Sequence, residues 1–477
     1  MACNKLDTER VFYYFNKLCS IPHGSGNMNG IADFCVEFAK QHKLEYKRDN
    51  ANNVIIYKPT KNYPFDAVIL QGHLDMVCQS DAGFNIDFLK DGIKPFIKDG
   101  FLTAEHTTLG ADNGIAVAMI LAILEDDRLV TPSIEAVFTT DEEIGMIGAK
   151  ALDTSLLRAK RMINIDSEDE NTLTVSCAGG SDFSVQIPTA YTTVTSTEIT
   201  VILKGLKGGH SGIEIDKNRH NANILAGRFL NYMKNQCKFG IISLNGGDKS
   251  NAIPNCCTLK LCTKKTKEFE TEAQEYLKLI KSEISAAEPD FNWEIVIGEE
   301  KELKTLSEKT KNDIISVLLT CPNGVMAMSA EIENLVETSL NLGILNTQKD
   351  GISLQFALRS NKQSALDFLE EKLYGFFERF NCKTTLGGKY PTWEFKENSD
   401  LRKLYCDTYF ELTGRQVSVE AIHAGLECAV FSSAIKGLDC IAIGPTILGA
   451  HTTEERLSIP STEKIFNVLL SLLKKLT

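Results

Sequence analysis

The 477-residue chain contains no run of about 18 apolar residues, so it carries no candidate for a helical membrane span. It also lacks an excess of positive charge. Lys and Arg number 51 against 63 Asp and Glu, a formal net charge of −12. That balance argues against nucleic acid and anionic membrane as partners. The N-terminal stretch "MACNKLDTER" has no apolar region of the kind an export signal needs. The 14 cysteines form no C-x-x-C pair. A thiolate metal site is therefore not expected, and the thiols read as reduced groups of a cytoplasmic protein. No short-period repeat or low-complexity tract is present.

What is present is ordinary globular composition, 43% hydrophobic and 24% charged. The length implies two or three domains. Apolar residues recur at helical spacing over 9–19 and 29–42, and "GIAVAMILAILED" (114–126) predicts a long buried helix. The short β-branched runs at 53–57, 67–71, 133–140 and 161–166 predict strands. Strands alternating with helices imply an α/β unit, a mainly parallel sheet with helices on both faces. After about residue 180 the pattern changes to alternating polar and apolar residues with separate helices at 221–235, 267–286 and 362–380. Strands are expected there at 257–263, 334–340 and 352–358. The α/β texture returns near 400. The expected architecture is thus a discontinuous catalytic domain, 1–182 plus 398–477, with an inserted α+β lid domain at 183–397.

The chemistry-bearing residues of the α/β portion sit mostly where a strand ends. "VILQGHLD" (68–75) closes an apolar strand with His73 and Asp75. Asp112 precedes the long helix, Glu142 and Glu143 follow the strand "SIEAVFTT", Asp166 ends "RMINID", and His451 follows "CIAIG". Singly, each has a plain structural explanation: Asp112 as a helix cap, Glu142 and Glu143 as a solvated pair at a helix start, Asp166 as part of an acidic surface run. Together they place imidazoles and carboxylates along the rim where open α/β sheets bind ligands. Two histidines with several carboxylates and no thiolate suit two divalent ions, Zn foremost, with Mn or Co also matching the donors.

The motifs "GHLDMV", "TTLGADNGI", "TDEEIGMIGA", "INIDSEDE", "LKGLKGGHSG", "SNAIPN", "VETSLNLG", "IHAGLEC" and "IGPTILGAHT" follow in order from residue 72 to 452. With "CSIPHGSGN" before them, the chain resembles the aminoacyl-histidine dipeptidases of the peptidase D type, within the co-catalytic zinc aminopeptidases, carboxypeptidases and aminoacylases. The resemblance implies a cytoplasmic di-metal hydrolase of unblocked dipeptides, Xaa-His and β-Ala-His among them. It implies that His73 and Asp166 hold one metal, Glu143 and His451 the other, and that Asp112 bridges them. Asp75 would orient His73, and Glu142 would be the general base. In the lid, His210 would donate to the oxyanion, with Asn251 and Arg359 holding the substrate backbone and terminal carboxylate. His423 and Glu427 of "HAGLEC" are assigned a substrate-side role in the returning catalytic portion. His106 and Ile213 depart from the family pattern without touching a ligand position.

Two other readings are compatible with the residues: a related tripeptide aminopeptidase or N-acyl amino acid deacylase, and a non-catalytic binding protein on the same fold. A homodimer is compatible too, although an insert of about 215 residues could supply both halves of a lid contact within one chain.

Overall fold

The computed structural model describes residues 5–477. The chain divides into two compact units. The first comprises the chain up to Cys177, Phe395–Ala421 and Leu426–Thr477; the second comprises Ala178–Glu394 and Ile422–Gly425. These crossings lie a few residues before the positions 182 and 397 drawn from the sequence, and residues 422–425 group with the inserted unit rather than with the returning segment.

The first unit is built on an eight-stranded sheet. Its strands in chain order are β1 (Glu45–Arg48), β2 (Val54–Lys58), β3 (Val68–His73), β4 (Ile134–Thr139), β5 (Arg161–Asn164), β6 (Thr172–Cys177), β7 (Ser418–Ile422) and β8 (Asp439–Ala442). Their order across the sheet is β1-β2-β4-β3-β5-β8-β6-β7. The centre, β4-β3-β5-β8, is parallel. The flanks turn antiparallel at β1-β2, β2-β4 and β8-β6. Hydrophobic patterning shows that a strand is buried but not which way it runs, so the antiparallel flanks are not legible in the sequence. All six residues of β3 and of β4 are buried, as central strands covered on both faces require.

The helices of this unit are α1 (Lys5–Cys19), α2 (Asn29–Gln41), α3 (Ala111–Glu125), α4 (Ile147–Ala151), α5 (Asp400–Thr413), α6 (Glu427–Ala434) and α7 (Ile459–Lys475). α3 is buried all round from Asn113 to Leu124, which explains why its sequence shows no polar face. It shares one core with Phe15 of α1, Leu70 of β3 and Leu469 of α7. Gly72 lets β3 and α3 meet. A Cβ there would fall 2.5 Å from Asn113 Oδ1 and 2.8 Å from the Ala116 methyl. A four-stranded antiparallel sheet of Pro95–Lys98, Phe101–Ala104, Ile447–Leu448 and Arg456–Ser458 carries the loop 449–455.

The second unit is a nine-stranded sheet with its own core. Every pairing resolved within it is antiparallel. Four helices pack on it: Ala222–Gln236, Thr266–Ile284, Glu308–Thr320 and Gln363–Glu378. The first is capped by Asn221, whose side chain accepts from the Asn223 and Ile224 amides. A separate two-stranded ribbon pairs His210 with Ala252. No described helix in either unit is long and apolar enough to cross a membrane.

Candidate active site

In the first unit the parallel strands end side by side, and their C-terminal ends carry the candidate ligands. β3 ends in His73. The loop after β4 holds Glu142 and Glu143, Asp166 lies two residues past β5, and Asp112 stands at the head of α3. Asn113 ties three of these segments together. Its Oδ1 accepts the His73 amide at 3.2 Å, and its Nδ2 donates to the Ile165 carbonyl at 2.7 Å.

His73 Nε2 lies 3.2 Å from Asp112 Oδ1 and 3.5 Å from Asp166 Oδ1. His451 Nε2 lies 3.0 Å from Asp112 Oδ2 and 2.9 Å from Glu143 Oε1. The two oxygens of Asp112 thus face one imidazole each. One ligand atom from each of His73, Asp112 and Glu143 falls within a single 4.8 Å group. Among the described residues, the ion-pair partners of Asp112, Asp166 and Glu143 are these imidazoles, and none is a lysine or arginine.

The electrostatics follow from this crowding. Burial alone would lower the His73 pKa, but Asp166, Asp112 and Asp75 raise it well above the usual value. Hydrogen bonds to Asp112 and Glu143 push His451 up to about 11. Burial pushes Glu142 well above the ordinary glutamate range; His73 opposes this, and Asp166, Glu427 and Glu143 add to it. Half-buried carboxylates around two imidazoles, with no fixed cation among their ion-pair partners in the described residues, make a donor set that divalent ions fit. The residues that would hold them are His73, Asp166, Asp112, Glu143 and His451.

Asp75 does more than the sequence suggests. His73 Nδ1 lies 3.0 Å from the Asp75 backbone carbonyl, while the Asp75 carboxylate is farther, at 3.4 Å. That carboxylate accepts the Ser25 hydroxyl at 2.8 Å and the backbone amides of Glu142 and Glu143 at 3.0 and 3.3 Å. It therefore fixes the glutamate pair as well as the imidazole.

The inserted unit holds a second group of the residues singled out by sequence. His210 Nδ1 accepts the amides of Gly212 and Ile213 at 3.2 and 3.3 Å. A ring nitrogen that accepts carries no proton, so the neutral imidazole presents Nε2–H as its donor. Burial and the Arg359 charge lower its pKa and keep it neutral. Gly212 is required here. A Cβ at that position would sit 2.6 Å from the His423 carbonyl and 2.9 Å from His210 Cε1. Asn251 is exposed, and its carbonyl accepts the Ser211 amide at 2.9 Å, beside His210. Arg359 is 8% exposed and donates from Nη1 to the Tyr390 hydroxyl at 3.0 Å, with its Nε unpartnered.

The substrate-side role expected for His423 and Glu427 does not match their surroundings. His423 is buried in the inserted unit, and both its ring nitrogens are engaged, with Ser339 Oγ at 2.7 Å and Asn361 Oδ1 at 3.1 Å. Glu427 is fully buried in the first unit. It accepts from Thr139 Oγ1 at 2.6 Å and from Gln71 Nε2, beneath the end of β3. Burial pushes it up to about 7, against the pull of His73 and Thr139. His106 pairs with Asp81 at 2.9 Å on an exposed flank, and Ile213 is 61% exposed.

Sequence reasoning missed Asn113 and Glu455. Asn113 directly follows the candidate ligand Asp112, but a buried amide leaves no periodic signal. Glu455 lies four residues past His451 in "HTTEER", where an acidic pair looks like a solvated turn.

Comparison with known proteins gives concordant findings. The model of peptidase family M20/M25/M40 matches residues 69–475. The chain is 35% identical to the cytosol non-specific dipeptidase of Escherichia coli (strain K12), over 99% of both sequences. It is similar to the crystal structure of aminoacylhistidine dipeptidase from Vibrio alginolyticus, with TM-score 0.86 and 32% identity over 98% of this chain and 96% of that one. A tripeptidase from Staphylococcus aureus shares the fold at 17% identity and TM-score 0.53, covering 98% of both chains.

Proposed function

The chain belongs to peptidase family M20/M25/M40 and is a metallopeptidase; on that premise we propose that it is a cytoplasmic dipeptidase acting on unblocked dipeptides, with Xaa-His substrates, β-Ala-His included, favoured. The observation that carries this reading is Asp112, whose two carboxylate oxygens each face a different imidazole at 3.2 and 3.0 Å. A carboxylate so placed suits a ligand shared by two ions, with His73 and Asp166 completing one set and Glu143 and His451 the other. Two divalent ions, Zn above all, supply a more acidic attacking water and a polarised carbonyl when bound.

The chain's own groups do the rest. Glu142 takes the proton of the attacking water and passes it to the leaving amine; a carboxyl whose pKa lies above the usual range suits both halves of that transfer. Asp75 holds the Glu142 and Glu143 amides and so sets the base relative to the ligand beside it. His210, neutral with its proton on Nε2, donates to the developing oxyanion. Arg359 offers a planar fork to the substrate's terminal carboxylate, and Asn251, whose carbonyl holds the amide of Ser211 next to His210, is the backbone holder. The 35% identity to a dipeptidase over 99% of the chain supports the dipeptide reading, and the likeness to the aminoacylhistidine dipeptidase supports histidine in the second position.

The test is a substrate panel on metal-reconstituted enzyme: Gly-His, β-Ala-His, a tripeptide, an N-acetyl amino acid and a C-terminally amidated dipeptide. Turnover confined to the free dipeptides, with about two ions per chain, is expected. Equal cleavage of the amidated dipeptide sinks the carboxylate clamp, and preference for the N-acetyl substrate sinks the dipeptidase reading. Arg359→Ala should raise KM and lower kcat/KM on dipeptides by one to two orders of magnitude, about what loss of a charge-assisted pair costs.

A further inference from the structure

We propose that Glu455 is a positioning residue for the metal centre: its carboxylate is the mould on which residues 109–112 are folded, and through them it holds Asp112 in place to serve both ions. The inference rests on reading Asp112 as the shared ligand.

Glu455 is 2% exposed. Its Oε2 accepts the amides of Leu109 at 2.6 Å and Gly110 at 3.0 Å, and its Oε1 accepts those of Ala111 at 2.8 Å and Asp112 at 3.3 Å. Four consecutive backbone donors therefore converge on one side chain. Such a concavity needs a residue with positive φ, and Gly110 supplies it at +73°. The amides of Ala111 and Asp112 are among the donors that the head of α3 leaves without intrahelical partners, and Gly110 at the cap position has no side chain to offer them.

A helix cap alone explains less than is seen. Caps come from the chain immediately before the helix and satisfy one or two amides. Here the acceptor comes from 345 residues beyond Gly110 and satisfies four amides, the last of them belonging to the ligand residue itself. The loop that carries Glu455 also carries His451. Glu455 lies four residues past His451, in a loop closed on itself by Thr452 on the Gly449 carbonyl and by the Glu455 amide on Thr452. The loop that sends His451 Nε2 to Asp112 Oδ2 thus also grips the Asp112 backbone. The separation between that imidazole and that carboxylate is set by one short segment. Because Asp112 faces His73 as well, releasing it disturbs both halves of the centre, whereas loss of Glu143 disturbs one.

The test is Glu455→Gln. An amide can accept through one oxygen only, and its NH₂ would face two of the four amides donor to donor. Chelator-stripped wild type, Glu455→Gln, Asp112→Asn and Glu143→Ala are titrated with Zn by calorimetry, with circular dichroism as the check of fold. Weakening of both ions together in Glu455→Gln, by about 10- to 100-fold, is expected, with Glu455→Asp in between. Wild-type affinity for both ions in Glu455→Gln, while Asp112→Asn loses them, overturns this inference alone. If Asp112→Asn keeps both ions, the reading of Asp112 fails instead. Hydrogen exchange on stripped wild type decides the matter even where the variants do not fold. The 109–112 amides should be protected without metal, and exchange at the rate of open chain would overturn the mould.

Discussion

At the scale of single residues, two adjacent glutamates show how position divides chemistry that composition cannot. Glu142 and Glu143 share a loop and a tether to Asp75, yet only Glu143 lies against an imidazole, at 2.9 Å from His451. Glu142→Gln should therefore retain both ions and the fold while kcat falls by about 10² to 10⁴, the usual worth of a general base. Glu143→Ala should release one ion first. Metal analysis beside steady-state kinetics separates the two, and loss of metal in both variants would contradict the division. The candidate ligands can be picked out in the sequence because histidine and carboxylate recur at one strand end after another. The orientation around them is not. That Asp75 reaches the glutamate amides, or that Glu427 turns inward onto Thr139 and Gln71, depends on how strands adjacent in space, not in sequence, line up.

At the scale of elements, the site depends on β3 and α3 approaching more closely than any side chain on Gly72 would allow. Gly72→Ala places a methyl 2.5 Å from Asn113 Oδ1 and 2.8 Å from Ala116, both on α3. Something must shift, and Asn113 also holds the His73 amide. We expect about 1–3 kcal/mol of destabilisation from the overpacking, read from the denaturant midpoint, together with weaker metal binding. Gly375 gives the opposite case. It lies inside the helix Gln363–Glu378 with nothing within 4 Å of its Cβ direction, so Gly375→Ala should stabilise by about 0.5–1 kcal/mol. A methyl tolerated at 72 without loss would show that the β3–α3 spacing does not set the site. Sequence pattern locates β3 and α3 because one is a continuous apolar run and the other is apolar all round. It leaves α7 and the helix Glu308–Thr320 unassigned although both begin at a serine cap, Ser458 and Ser307. Those segments lie outside the ordered motifs that anchor the sequence reading.

At the scale of the whole molecule, the two units have separate cores and separate sensitivities. Every candidate metal ligand belongs to the first unit, so excess metal should protect that unit's core amides from exchange by the binding free energy, about 4 kcal/mol at a thousandfold excess over Kd. Protons address the second unit through His423. Burial lowers its pKa to about 3, with the Arg359 charge adding to the effect, and the neutral ring is held between Ser339 and Asn361. In the unfolded chain the same imidazole titrates near 6.5. Below that value the unfolded state takes up a proton that the folded state refuses, so stability falls as pH falls, by as much as about 1.4 kcal/mol per pH unit. His423 contributes from about pH 6.5 downward; Glu427, pushed up to about 7, and Glu142, also raised, belong to the first unit, so the readout is taken on second-unit amides. His210, whose pKa is also lowered by burial, acts in the same sense. His423→Gln keeps an acceptor for Ser339 but has no proton to gain. At pH 7.5 it should cost about 1–3 kcal/mol, because the hydrogen bond between the ring and Asn361 is broken. Between pH 6.5 and 4.5 its second-unit strands, read by hydrogen exchange at Leu259 and Leu261, should lose protection less steeply than wild type. Equal slopes in the two proteins would mean that His423 takes up its proton in the folded state, and that its buried, neutral setting is not what makes the inserted unit sensitive to acid.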